Sequence, residues 1–309
     1  MMIRALLLVI LLTSCYQVPD KIEPRVSIYI EKRHIDTLKS PFPKLTSEER
    51  STDWGKEYAI AVKFAENFDL YRAISTFKRA EALIDSENED RMTEISYFLF
   101  LSYYLGGKYS DALQIFEASE LVSVDRSFTP YHDLMLVLYE CYTELGVFEK
   151  AHRIKELLEE SYPETFDDIE LSIALKEGDI DIIEEYSPKR PYLNNLLDNY
   201  ACEKKSVATA QALNLLPGAG YLYLGQKKSA LTSFLLNGLF ISSSVYFFMK
   251  DNIAAGIITA SFEAGWYFGG IYGAGESAKY YNERQYEKHA TPLMNEKKLF
   301  PVFMLQYGF

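Results

Sequence analysis

The sequence predicts an all-α protein, an array of stacked helix pairs over residues 46–200 followed by a hydrophobic helical hairpin over 201–282. Three observations predict it. Residues recur at a 39-residue offset through the middle of the chain, Ala73, Ala112 and Ala151 among them. Two long apolar runs, residues 229–249 and 253–274, are separated only by Lys250-Asp251-Asn252. No series of alternating, strand-like segments precedes the last ten residues.

The first element is residues 1–14. Arg4 precedes an apolar run over 5–12 that is too short to span a bilayer, and small residues then lead to a cysteine. Leu12-Thr13-Ser14-Cys15 resembles the lipobox of bacterial lipoproteins. The resemblance implies cleavage before Cys15 and acylation of Cys15, and several acyl chains on one residue give stable anchoring where one would not. Residues 15–45 hold Pro19, Pro24, Pro41 and Pro43 and read as an extended tether with room for one short strand over 26–30. Thr46-Ser47-Glu48-Glu49 has capping-box spacing and opens the helical region.

Within 46–200 each unit reads as a helix, a tight turn near a glycine (Gly107, Gly146), and a second helix entered through a small alanine. Phe77 and Phe116 follow the first two alanines by one helical turn, whereas Lys155 stands at that place in the third unit. Ala73, Phe77 and Ala80 resemble the second helix of the tetratricopeptide repeat, and Pro163 falls where that family ends its second helix. A shorter pair turns at Glu177-Gly178-Asp179. The resemblance implies a curved solenoid whose concave face captures a protein partner. Tyr103 and Tyr142 are the candidate aromatics for that face, with the helix core as the alternative place for both.

The composition changes near Cys202-Glu203-Lys204-Lys205. Pro217, Gly218, Gly220, Tyr223 and Gly225 resemble the entry motif Pro-Gly-x-Gly-x-x-Tyr-x-Gly of a bacterial two-helix membrane module. The resemblance implies a membrane hairpin and no particular activity. Gly265, Gly269 and Gly273 form two consecutive GxxxG spacings, a face suited to helix packing in lipid or to homo- or hetero-oligomer formation. Asn237 and Glu263 interrupt the apolar runs, and an intramembrane carboxylate is either clasped by polar neighbours or part of an ion or proton path. Lys204, Lys205, Lys227 and Lys228 outnumber Lys250 in the inner loop, which by the positive-inside rule opposes an exported repeat domain. Tyr16 after the lipid cysteine fits outer-membrane sorting, where helical hairpins are unusual, so both membranes stay open. Residues 283–309 form a tail in which Phe303, Leu305, Tyr307 and Phe309 alternate, as a single strand against the soluble part or an interfacial anchor would.

Catalytic patterns are missing from the sequence. His34, His132, His152 and His289 are scattered, and there is no phosphate loop and no nucleophile elbow. Acidic pairs such as Glu159-Glu160 read as solvated helix ends. Net charge is −12, which argues against nucleic acid as a partner. With Cys15 lipidated, Cys141 and Cys202 are the remaining pair for a disulfide in an oxidising periplasm, while its helical setting predicts that Cys141 is a buried thiol. The expectation is a non-enzymatic, lipid-anchored envelope scaffold without metal or cofactor, with repeats in the periplasm and a hairpin in the bilayer. By analogy with tetratricopeptide lipoproteins it would serve envelope assembly. The alternative is a small transport or channel component using the hairpin.

Overall fold

The computed structural model describes residues 18–27, 38–85 and 87–309. Among these residues the protein is all-α, with no strand and one isolated parallel bridge between Lys39 and Tyr307. Cys15 and its lipobox, Tyr16 and Ser86 lie outside the described residues, as does most of the short strand expected over 26–30. The chain divides into two compact units. One comprises Ile28–Ile173 with Met294–Phe309, the other Met1–Ser27 with Ala174–Leu293.

The first unit opens with α1 (Ser47–Ser51), and the expected capping box is present. The Glu49 N–H donates to Thr46 Oγ1 (3.2 Å) and the Thr46 N–H to Glu49 Oε2 (2.6 Å). Helices α2 (Asp53–Glu66), α3 (Leu70–Leu83), α4 (Glu89–Leu105), α5 (Tyr109–Ala118), α6 (Tyr131–Glu144) and α7 (Phe148–Ser161) follow, each packed on the next. Helix α8 (Pro163–Glu177) begins at the proline singled out from the sequence.

Three turns in this unit share one geometry. Phe68, Gly107 and Gly146 have φ of 59°, 67° and 71°. At each, the left-handed residue donates its N–H three residues back and the next residue donates five back, which satisfies the last carbonyls of the preceding helix. The first turn uses Phe68 where the later ones use glycine. For that reason a search for glycine alone finds two of the three. Five residues beyond each turn stand Ala73, Ala112 and Ala151, all buried. Phe77 is buried and Phe116 half-buried against Phe100, their ring centroids 6.2 Å apart. Tyr103 and Tyr142, candidates either for a binding face or for the core, are buried. Each ring carries a lysine ammonium over it, Lys78 at 5.3 Å and Lys150 at 5.1 Å.

The second unit contains α9 (Ile180–Tyr186), α10 (Leu193–Glu203), α11 (Val207–Leu213), α12 (Ala219–Tyr223), α13 (Lys227–Met249) and α14 (Ile253–Glu296). Gly178, φ 69°, makes the turn into α9, and Ile183 is buried five residues on. Helix α14 is 44 residues long, so the boundary expected at 282/283 falls inside it. Its second half is held by a stripe that the sequence reading did not use. Ala274, Ala278, Asn282, Tyr286 and Ala290 are all fully buried at a spacing of four, the period of one helix face.

Residues 18–27 form no helix or strand and are docked on this unit. Val18 is buried with Val207, Ala210, Leu224 and Ala278, and Ile22 fills the space beside Gly178. The Glu23 and Arg25 N–H groups donate to the carboxylates of Glu283 (3.0 Å) and Glu287 (2.6 Å) on α14. Apolar residues four apart provide the anchor that the prolines alone did not suggest.

Candidate functional site

The entry motif is a rigid turn between α11 and α13. Gly218 has φ 90°, and a Cβ there would collide with the Ala230 carbonyl oxygen at the start of α13. Gly220 has ordinary backbone angles, but a Cβ would meet the Ala210 carbonyl and the Asn214 side chain. Gly225, φ 79°, faces open space and serves only the left-handed turn. Asn214 holds the corner. Its buried Oδ1 accepts from the N–H groups of Gly218 (3.1 Å) and Gly220 (3.2 Å). Tyr223 receives Lys205, whose Nζ donates to the Tyr223 carbonyl (2.7 Å) and sits 5.2 Å above its ring. The Lys205 backbone is clamped by buried Asn282, which accepts from its N–H and donates to its carbonyl, both at 2.8 Å. Sequence reasoning missed Asn214 and Asn282. The signal for each was a lone amide in an otherwise apolar helical stripe.

Helix α13 is the one helix among the described residues long and apolar enough to cross a membrane. The first half of α14, interrupted by Glu263 and several glycines, falls short of that measure. Asp251, φ 57°, makes the turn between them. Ser244 donates to Thr259 Oγ1 (3.0 Å), and Gly270 lies 4.0 Å from Ser233 Oγ when a Cβ is built on it. These two contacts set an antiparallel register that brings Glu263 within one helical turn of the level of Asn237. Asn237 Nδ2 donates to the Ser233 carbonyl (2.7 Å), while its Oδ1 and both Glu263 carboxylate oxygens are shielded from solvent without a hydrogen-bond partner. Of the three glycines expected on a packing face, Gly273 lies against the Tyr221 hydroxyl, whereas Gly265 and Gly269 face open space. Close packing on α14 instead involves Gly270 beside Asn214 and Gly275 beside Gln211.

In the first unit, α4 and α6 carry continuous buried stretches, from Glu94 to Tyr104 and from His132 to Tyr139. Asp133 on α6 is fully buried. It accepts from the N–H groups of Gln306 (2.9 and 3.1 Å) and Tyr307 (2.9 Å), and its Oδ1 lies 2.7 Å from His132 Nδ1. His132 Nε2 lies 2.9 Å from Thr165 Oγ1. The order hydroxyl, imidazole, carboxylate is that of a nucleophile triad. Here, however, the carboxylate also binds two main-chain N–H groups.

A second, partly buried network fixes the start of the unit. Arg91 binds Glu49 (2.8 Å) and Glu94 (2.6 Å) and donates to the Pro43 carbonyl (2.9 Å), while the Tyr58 hydroxyl donates to Glu94. The Arg91 hydrogen bond lowers the Glu49 pKa to about 2, while burial raises that of Glu94. Burial also pushes the Cys141 thiol far above its ordinary range, so this buried cysteine is an unreactive core residue. Cys202 is exposed, and both thiols are free. Among the described residues no cluster of histidine, cysteine and acidic groups is placed to hold a metal ion.

No family model matches the chain, and no curated protein or solved structure matches it either.

Proposed function

We propose that the protein is a non-enzymatic, lipid-anchored scaffold of the bacterial cell envelope. In this reading its tetratricopeptide-like helix pairs bind a protein partner, and α13 with the first half of α14 forms a hairpin in the bilayer. The observation that carries the membrane part is the outward direction of the large apolar side chains. Phe234, Leu239, Val245 and Met249 on α13, with Ile257 and Phe262 on α14, are exposed, Met249 by 77% and Phe262 by 66%. Water would make such a surface aggregate, whereas lipid solvates it. The repeated left-handed turns and buried alanines support the helix-repeat part.

The test is metabolic palmitate labelling of the full chain and of Cys15→Ser, followed by carbonate extraction of both. Label that depends on Cys15, together with membrane retention of the variant, supports anchor and hairpin alike. Absence of label removes the envelope reading, and release of Cys15→Ser by carbonate removes the hairpin.

The second reading, a small transport or channel component, is favoured by the Glu263 carboxylate, shielded from solvent without a hydrogen-bond partner. Unpaired intramembrane carboxylates are costly and mark proton or ion paths. Glu263→Gln separates the two. Normal abundance with lost ion flux in vesicles supports transport, and normal flux with normal abundance removes it.

A further inference from the structure

The segment Phe300–Phe309 is part of the same compact unit as α1–α7. A turn at Lys298, φ 58°, detaches it from α14, and a single helical turn, α15 (Pro301–Met304), packs on α6. Beyond α15 the chain is extended. Gln306 and Tyr307 offer consecutive N–H groups to Asp133, Gly308 donates to the Lys39 carbonyl (3.1 Å), and the Phe309 ring lies 5.6 Å from that of Phe98 on α4. Leu305 and Phe309, four residues apart, are buried, whereas Gln306 between them is exposed.

Two kinds of contact hold the segment. Apolar anchors at Leu305 and Phe309 read side chains. The Asp133 carboxylate reads the main chain, a bond that any residue except proline can offer and one strengthened by the acceptor's charge. Removing the segment would leave Asp133 with His132 as its only remaining partner shown and would uncover apolar surface on α4 and α6. Exchange for another peptide of the same chemistry therefore costs far less than an empty face.

We propose that this face of α4 and α6 is a peptide-binding groove and that Phe300–Phe309 is its displaceable resident ligand. A protein partner enters by presenting an extended apolar peptide with two consecutive N–H groups for Asp133. The inference rests on the partner-binding reading above and adds to it the chemistry of the site and a reason why it is closed at rest.

The test uses the full chain in detergent and a fluorescent peptide with the sequence of residues 300–309. Gln306→Pro deletes one N–H to Asp133 and leaves the groove residues in place. This variant, with its helical circular dichroism unchanged, is expected to bind the peptide at least about tenfold more tightly than the unaltered chain. The same peptide N-methylated at positions 306 and 307 is expected to lose at least about tenfold in affinity for the variant. In the unaltered chain, amide exchange at Gln306 and Tyr307 should proceed by local opening, at least about tenfold faster than in α6.

If Gln306→Pro unfolds the unit or binds the peptide no better, the segment is a fixed part of the core and the proposal falls. It falls also if methylation has no effect, or if these amides exchange only together with α6. A failed palmitate experiment would remove the envelope reading and leave each of these results standing.

Discussion

Alanine substitution of the three motif glycines separates three physical causes that the sequence motif merges. Gly225→Ala meets open space and bears only the left-handed φ of 79°, a cost of about 1 kcal/mol. Gly220→Ala has no φ term but sets a methyl group against the Ala210 carbonyl and the Asn214 Cβ, so about 2–4 kcal/mol is expected. Gly218→Ala combines φ 90° with overlap of the Ala230 carbonyl, which is main chain at the start of α13 and cannot rotate away; about 3–5 kcal/mol follows. The assay is thermal unfolding in detergent micelles in a Trp54→Phe background. The only other tryptophan, Trp266, then reports on the unit that contains the motif. At about 2 °C per kcal/mol, the loss in Tm should grow from Gly225→Ala through Gly220→Ala to Gly218→Ala. Equal losses for Gly225→Ala and Gly218→Ala would refute the argument, because the two share the φ term and differ in the overlap.

Three further outcomes follow from individual polar groups. Glu49 has its pKa lowered to about 2 by Arg91, so its stabilisation is present above the unfolded value of 4.5 and lost as pH falls toward 2. After allowance for solvent screening, Glu49→Gln should cost about 1 kcal/mol at pH 7 and progressively less below pH 4.5, vanishing only below pH 2, by chemical unfolding, and a cost independent of pH would sink the ion-pair account. Asn282→Leu leaves the N–H and carbonyl of Lys205 unpaired, so a loss of about 2–4 kcal/mol is expected in the same Trp266 assay. The Tyr97 hydroxyl is buried without a partner; Tyr97→Phe should leave stability unchanged or raise it by up to about 1 kcal/mol, and a clear loss would show that the hydroxyl has an unseen partner.

Much of the fold was legible along the chain because its causes are local. The capping box at Thr46 and Glu49, the turns at Gly107, Gly146 and Gly178, and the buried Ala73, Ala112 and Ala151 each follow from the requirements of one turn or one helix crossing. The Phe68 turn escaped because a left-handed phenylalanine is held by the helices on either side, not by its own preference. In the candidate sites, Gly218 and Gly220 could be recognised from the motif, yet their separate reasons depend on Ala230 and Ala210, which only packing brings near. Tyr103 and Tyr142 show the converse limit, since an aromatic at a repeated position serves a core as readily as a binding face.

The sequence by itself therefore determined the all-α class, the helix pairs and turns, the two apolar runs and the acidic balance, all of which can be read from residue types and their spacing along the chain. Tertiary structure decided the docking of residues 18–27 on α14, the engagement of Asn214 and Asn282 with backbone, the open faces of Gly265 and Gly269, and the place of Phe300–Phe309 against α4 and α6. Those outcomes join residues far apart in the chain, Arg25 and Glu287 by 262 positions. Periodicity carries the pattern of one element, and the partner of a buried face is fixed only when distant elements meet and each buried polar group has to find a donor or acceptor.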